Sequence, residues 1–302
     1  MATRPMLAAA GLAVAPPRVL ATSSVLSDYW AMTKPEVNFL IAITTAAGFY
    51  LGSPSGWSPL LHTLAGTVLV ASGAAALNQW MEHDHDARMR RTARRPIAAG
   101  RIEPYRALAF GLLLSLAGIV WLVGAAGALA SLLAVGTLLG YLFLYTPLKR
   151  MTPLCTLVGA VPGAVPPLIG WAAARGRLDP EAWVLFGIVF LWQFPHFMAI
   201  AWMYRDDYDR AGYRVLTPGR SRARFVTLQA LLPLMALLPF SLLPLLAGRA
   251  SLLYGIGTML LGVGFLSYGV RFTLRKSGSA ARQLLLVSIV YLPSLFVLLI
   301  LG

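Results

Sequence analysis

The sequence predicts an all-α polytopic membrane protein, a bundle of nine transmembrane helices around a central cavity. Three observations carry that expectation. Of 302 residues, 58% are hydrophobic and 12% are charged, about half the charged share of a soluble domain. Mean hydropathy is +0.71. The Lys and Arg residues gather in alternate connections. So few charges cannot cover a surface facing water, whereas a helix crossing the hydrocarbon core needs ~20 mostly apolar residues.

Nine apolar segments meet that need, at about 36–53, 61–81, 107–124, 127–145, 154–174, 182–203, 225–247, 251–271 and 283–301. Pro162, Pro166, Pro167, Pro195 and Pro233 fall inside them. Membrane helices tolerate such breaks where neighbouring groups satisfy the freed backbone. The connections then sort by charge. Arg4, Arg18 and Lys34 precede the first segment, seven arginines from Arg88 to Arg106 follow the second, and Lys149 and Arg150 follow the fourth. Six arginines from Arg205 to Arg224 follow the sixth, and Arg271, Arg275, Lys276 and Arg282 follow the eighth. The opposite side holds only Arg175, Arg177 and Arg249. Cations concentrate in cytoplasmic loops, so the N-terminus is expected in the cytoplasm and the C-terminus across the membrane. Residues 1–27 read as a flexible cytoplasmic tail, since the apolar run Met6 to Val14 is too short to span and lacks a clear cleavage site. Residues 28–302 read as one intramembrane domain. Topology explains the net charge of +14, so nucleic acid is not an expected partner. Cys155, the single cysteine, excludes an internal disulfide.

Topology needs only cations, so the carboxylates require another explanation. Six of the eleven Asp and Glu lie in two clusters on the cation-rich side. In the first, Asn78, Glu82 and Asp86 fall at i, i+4 and i+8, one face of a continuing second helix. Oxygen donors on one face at the membrane boundary are unfavourable without a positive partner. Mg²⁺ characteristically takes one or two carboxylates with phosphate oxygens and water. Five arginines follow Asp86 within nine residues, Arg91 and Arg95 among them, and guanidinium matches phosphate. The combination describes a diphosphate site; a solvated loop of paired charges is the bland alternative. His83 and His85, at i and i+2, point to different faces and are expected on the surface or behind the ligands. The second cluster, Arg205-Asp206-Asp207, repeats that chemistry after the sixth segment. Nearby, His196 lies at membrane depth, as a satisfied core histidine, a substrate contact or a haem ligand. Trp192, Trp202, Tyr204 and Tyr208 form an interfacial belt or face a cation. At the end of the fourth segment Tyr141 and Tyr145 share a face, and Lys149 is either a phosphate contact or a topological cation.

These clusters resemble the two acidic motifs of the intramembrane aromatic prenyltransferase superfamily. Four strings resemble its haem O synthase (protohaem IX farnesyltransferase) branch in particular: NQWMEHDHDARMRRTARRPIAAGRI (78–102), YTPLKRMTP (145–153), VGAVPGAVPPLIGW (158–171) and WQFPHFMAIAWMYRDDYDRAGYRVL (192–216). Likeness runs from Lys34-Pro35 to about residue 217. Glu82 stands where the superfamily commonly has Asp, and Tyr204 and Tyr208 where its second motif often has Asp. The haem branch carries the same changes.

The resemblance implies transfer of farnesyl from farnesyl diphosphate to a vinyl group of protohaem IX, with diphosphate released. It implies Mg²⁺ on Asn78, Glu82, Asp86, Asp206 and Asp207, and diphosphate on Arg91, Arg95, Lys149 and Arg205. Tyr141, Tyr145, Tyr204 and His196 become the candidate catalytic groups. Expected partners are farnesyl diphosphate, protohaem IX, membrane lipid and a downstream haem-modifying enzyme, in a bacterial inner membrane. A prenyltransferase with a quinone-precursor acceptor is the nearest alternative. A transporter is another, but its charges should not lie at one face only.

Overall fold

A computed structural model describes residues 24–52, 56–219 and 221–302. Among them every regular element is helical. The chain opens with α1, Val25–Met32, whose first turn is capped by the Ser24 hydroxyl accepting from the Ser27 amide. The tail expected over 1–27 falls mostly outside the described residues, and its last three residues already belong to α1. Next come α2 (Pro35–Leu51), α3 (Trp57–Asp86) and α4 (Pro104–Ala125). Then follow α5 (Ala128–Leu148), α6 (Cys155–Arg175) and α7 (Pro180–Met203). The remainder is a short α8 (Arg205–Arg210), α9 (Ser221–Leu246), α10 (Leu252–Arg275) and α11 (Gly278–Leu301).

Eight of these, α3 to α7 and α9 to α11, are long and apolar enough to cross a membrane. The chain is an integral membrane protein. The expected count of nine is corrected at the first segment: α2 has 17 residues. At ~1.5 Å rise per residue it is about 25 Å long, short of a core ~30 Å thick. It nevertheless packs within the bundle, against α3, α6 and α11.

The long helices adjacent in sequence pack together, and α11 meets α2, joining the first and last long helices described. Small residues set the closest crossings. A Cβ on Gly170 of α6 would land on the Thr45 carbonyl oxygen of α2, and one on Gly48 would land on that of Pro167. Membrane helices associate through such small-residue contacts because lipid supplies no hydrophobic drive between them. The glycine- and proline-rich string of α6 has this use throughout. Gly159 leaves room for the Tyr145 ring and Gly163 for the Gln193 side chain, while Pro166 and Pro167 start its second half. In α5 the register loosens into a π-helical turn over Gly140–Tyr145, a feature frequent at functional sites. That turn carries Tyr141 and Tyr145, two of the three candidate tyrosines.

Candidate active site

The site is built where α3 and α5 end and α8 begins. Asn78, Glu82 and Asp86 line one face of the last two turns of α3, all buried. Their spacing alone puts them on that face; burying it requires partners. Asn78 Nδ2 donates to Glu82 Oε2 at 2.9 Å and to Thr146 Oγ1 of α5 at 3.1 Å. Lys149, just past α5, stands 2.7 Å from Glu82 Oε2. Arg95 Nη1 lies 2.7 Å from Asp86 Oδ2, and the Thr92 hydroxyl holds the Asp86 carbonyl. The two buried carboxylates of α3, Glu82 and Asp86, thus each carry their own cation.

The second cluster docks onto the same loop. Asp207 accepts from the Arg91 backbone amide at 3.2 Å and from Arg210 at 2.9 Å. Arg91 and Arg95 therefore tie the acid of α8 and the last acid of α3 to one stretch of chain. The Arg91 guanidinium lies 5.1 Å above the Tyr204 ring, and the Lys149 ammonium 4.7 Å above Tyr145. The Tyr141 and Tyr145 rings are 5.5 Å apart.

Three expected site residues stand elsewhere. The Asp206 side chain is 78% exposed against 10% for Asp207, and its neighbour is Arg205 at 3.7 Å. Adjacent residues of a helix cannot both face inward, so the pair is split. Arg205 lies over the Trp202 ring and donates to the Trp202 carbonyl, rather than joining the carboxylates. His196 faces α11, where its Nδ1 lies 2.8 Å from the Ser288 hydroxyl and its ring packs on Trp192. Ser288 donates to the Leu285 carbonyl, so Nδ1 carries the proton. The flanking histidines behave as surface and supporting groups: His83 bonds to the Trp80 carbonyl, and His85 lies against Tyr213.

Two residues absent from the sequence expectations join the cluster. Lys34, in a left-handed conformation before α2, reaches 3.4 Å from Asn78 Oδ1. Burial pushes its ammonium down to about 7, helped by the charges of Arg95 and Lys149. The Tyr213 ring lies 5.9 Å from the Lys149 ammonium, and burial with the negative charge of Glu82 pushes its phenol well above the usual range. Tyr213 lies on the segment after α8, which is pinned by the Arg214 amide on the Lys149 carbonyl and by the two-pronged Arg222–Asp209 pair. Buried Ala211, Val215 and Leu216 anchor the same segment. The apolar Ala211, Tyr213, Val215 and Leu216 set around Gly212 and Arg214 were the signal available in the sequence.

Among the described residues, no three His, Cys, Asp or Glu side chains are grouped to hold a metal ion. Of the five oxygen ligands expected from the two clusters, only Asp206 faces outward, which leaves Asn78, Glu82 and Asp86 on α3 and Asp207 on α8. Their chemistry still suits Mg²⁺, because the donors are oxygens. Glu82 Oε1 is fully buried and accepts no well-directed hydrogen bond, although the Lys149 ammonium is close.

Residues 40–296 match the UbiA prenyltransferase family. The chain belongs to the UbiA prenyltransferase family. A relative from Solibacter usitatus, named protoheme IX farnesyltransferase, is 47% identical over 92% of this chain and 99% of its own. The fold agrees with family structures of low identity. One concerning digeranylgeranylglyceryl phosphate synthase in membranes has TM-score 0.74 at 16% identity, covering 92% of this chain and 98% of that one. A UbiA homologue from Archaeoglobus fulgidus bound to GPP and Mg²⁺ has TM-score 0.61 at 12% identity, covering 90% of this chain and 99% of its own. In this UbiA-family chain the acids, arginines and tyrosines meet at one end of the bundle.

Proposed function

We propose that the protein transfers farnesyl from farnesyl diphosphate to a vinyl group of protohaem IX, leaving a hydroxyethylfarnesyl substituent and releasing diphosphate. The acceptor rests on the 47% identity to a protoheme IX farnesyltransferase over nearly the whole chain. The chemistry rests on one observation: Asp207 docks on the Arg91 amide while Arg95 holds Asp86, so both acidic clusters address one point.

Breaking the allylic C–O bond places negative charge on diphosphate and positive charge on the prenyl chain. Arg91, Arg95, Lys34 and Lys149 are positioned to receive the diphosphate oxygens. Preorganised cations at a water-poor site stabilise such charge without reorganisation cost. Asn78, Glu82, Asp86 and Asp207 would hold Mg²⁺, which supplies further positive charge against the leaving group. Tyr141 and Tyr145 offer ring faces to the allylic cation. Water then provides the hydroxyl that completes the substituent, and a proton is released. In this reading the site lies on the cytoplasmic side of a bacterial inner membrane, a side supported by the cation-rich helix ends, and both lipid-soluble substrates arrive laterally.

Purified protein in lipid nanodiscs, given protohaem IX, farnesyl diphosphate and Mg²⁺, should yield a haem whose mass rises by one farnesyl and one hydroxyl group. Turnover of a quinone precursor with protohaem left unchanged would overturn the acceptor assignment.

A further inference from the structure

We propose that the Asp28–Arg101 pair is a positioning element of the diphosphate site, bracing the loop that presents Arg91 and Arg95. This rests on the proposed role of that loop. Asp28 belongs to α1, an eight-residue helix whose Val25, Leu26 and Trp30 are widely exposed. Its own carboxylate is buried at 4% exposure. Burying a carboxylate on so short a helix is costly unless it is paired and hydrogen-bonded.

The partner is 73 residues away. Arg101 Nε donates to both Asp28 oxygens at 3.1 and 3.0 Å, and Nη2 donates to Oδ1 at 2.9 Å. The same Nη2 also donates to the Arg94 carbonyl at 3.1 Å. One planar guanidinium therefore joins α1 to the peptide that leads into Arg95, whose own guanidinium meets Asp86. Apolar packing backs the link: Met32 of α1 is buried with Ile97 and Ile102 of the loop and Ala76 of α3.

At its other end α1 reaches the opposite half of the site. Gln79 Nε2 donates to the Met32 carbonyl at 2.9 Å, and two residues later Lys34 meets Asn78. So α1 is linked to both halves of the site, through Arg101 and through Gln79, while contributing no reacting group of its own. A displacement of about 1 Å in positioned groups can cost a hundredfold in rate. The three-bond fork is available to arginine and not to lysine, so charge alone will not hold the loop.

The test uses full-length protein in nanodiscs carrying Asp28→Asn, Arg101→Lys, or the swap Asp28→Arg with Arg101→Asp. Steady-state kinetics are measured against each substrate, with calorimetry of inorganic diphosphate in the presence of Mg²⁺. The single variants should lose about tenfold in kcat/KM for farnesyl diphosphate and in diphosphate affinity, with the KM for protohaem unchanged. The swap should recover part of both losses. Unchanged diphosphate affinity in folded Arg101→Lys protein would overturn the proposal, as would equal losses for both substrates that track the fraction folded. Absence of turnover by the wild type would count against the function proposed above. The calorimetric comparison still decides the role of the pair in that event.

Discussion

The Lys149 ammonium lies 2.6 Å from one carboxylate oxygen of Glu82 and 2.7 Å from the other, with both side chains buried. Such a pair offsets its own desolvation only while both partners are present. Removing one leaves an uncompensated buried charge, at a cost of about 3–5 kcal/mol. Lys149→Met should therefore lower the thermal midpoint sharply. Lys149→Met with Glu82→Gln should recover most of that stability yet remain inactive. A double-mutant cycle by thermal denaturation in detergent measures the coupling. Additive effects would mean the two residues do not act as a pair.

Asp86 and Asp207 are expected to be needed for chemistry separately from folding. Asp86→Asn and Asp207→Asn each preserve size but remove the charge and replace one acceptor oxygen with a donor. Each should reduce Mg²⁺-dependent turnover by about a hundredfold or more, and a melting curve taken alongside separates that loss from the cost of unpairing Arg95 or Arg210. Product mass spectrometry reads the outcome. Asp206→Asn, on the exposed side of α8, should retain activity within a few-fold.

Tyr213→Phe removes a buried phenol hydroxyl beside the Glu82–Lys149 pair. Its pH signature has a definite sign. The phenol is held protonated in the fold, whereas the unfolded chain ionises at the ordinary tyrosine value of 10.0. Above that pH the folded state binds more protons, so stability falls as pH rises. The variant should lose this alkaline slope in denaturation curves taken between neutral and strongly alkaline pH. A slope identical to the wild type's would assign it to other groups.

Gly170→Ala tests the crossing of α2 and α6. The added methyl meets backbone rather than a side chain that could swing away. Overpacking of this kind costs about 1–3 kcal/mol. Because Lys34 immediately precedes α2, a displaced helix should also weaken diphosphate binding. Gly124→Ala, where nothing stands within reach of the new methyl, is the control and should leave both readouts unchanged.

Much of this was legible in the sequence, for identifiable reasons. Hydropathy over windows of about 20 residues reports helix placement directly, because every spanning backbone must satisfy itself within its own helix. The i, i+4, i+8 spacing likewise placed Asn78, Glu82 and Asp86 together, since one helix determines its own faces. The same rule decides between Asp206 and Asp207, but only once the direction of the interior is known. Composition could not separate Arg205, stacked on Trp202, from Arg91 and Arg95, because an arginine's partner depends on which helix lies across from it.

Residue type and local periodicity were enough for the membrane class and the chemistry at the helix ends, and four long strings carried the family resemblance. Tertiary structure decided which charges meet. Lys34 reaches Asn78 across 44 residues and Arg101 reaches Asp28 across 73. A buried ion pair is specified by where two helices cross, and crossings are set by small residues such as Gly48 and Gly170 whose partners no local pattern names.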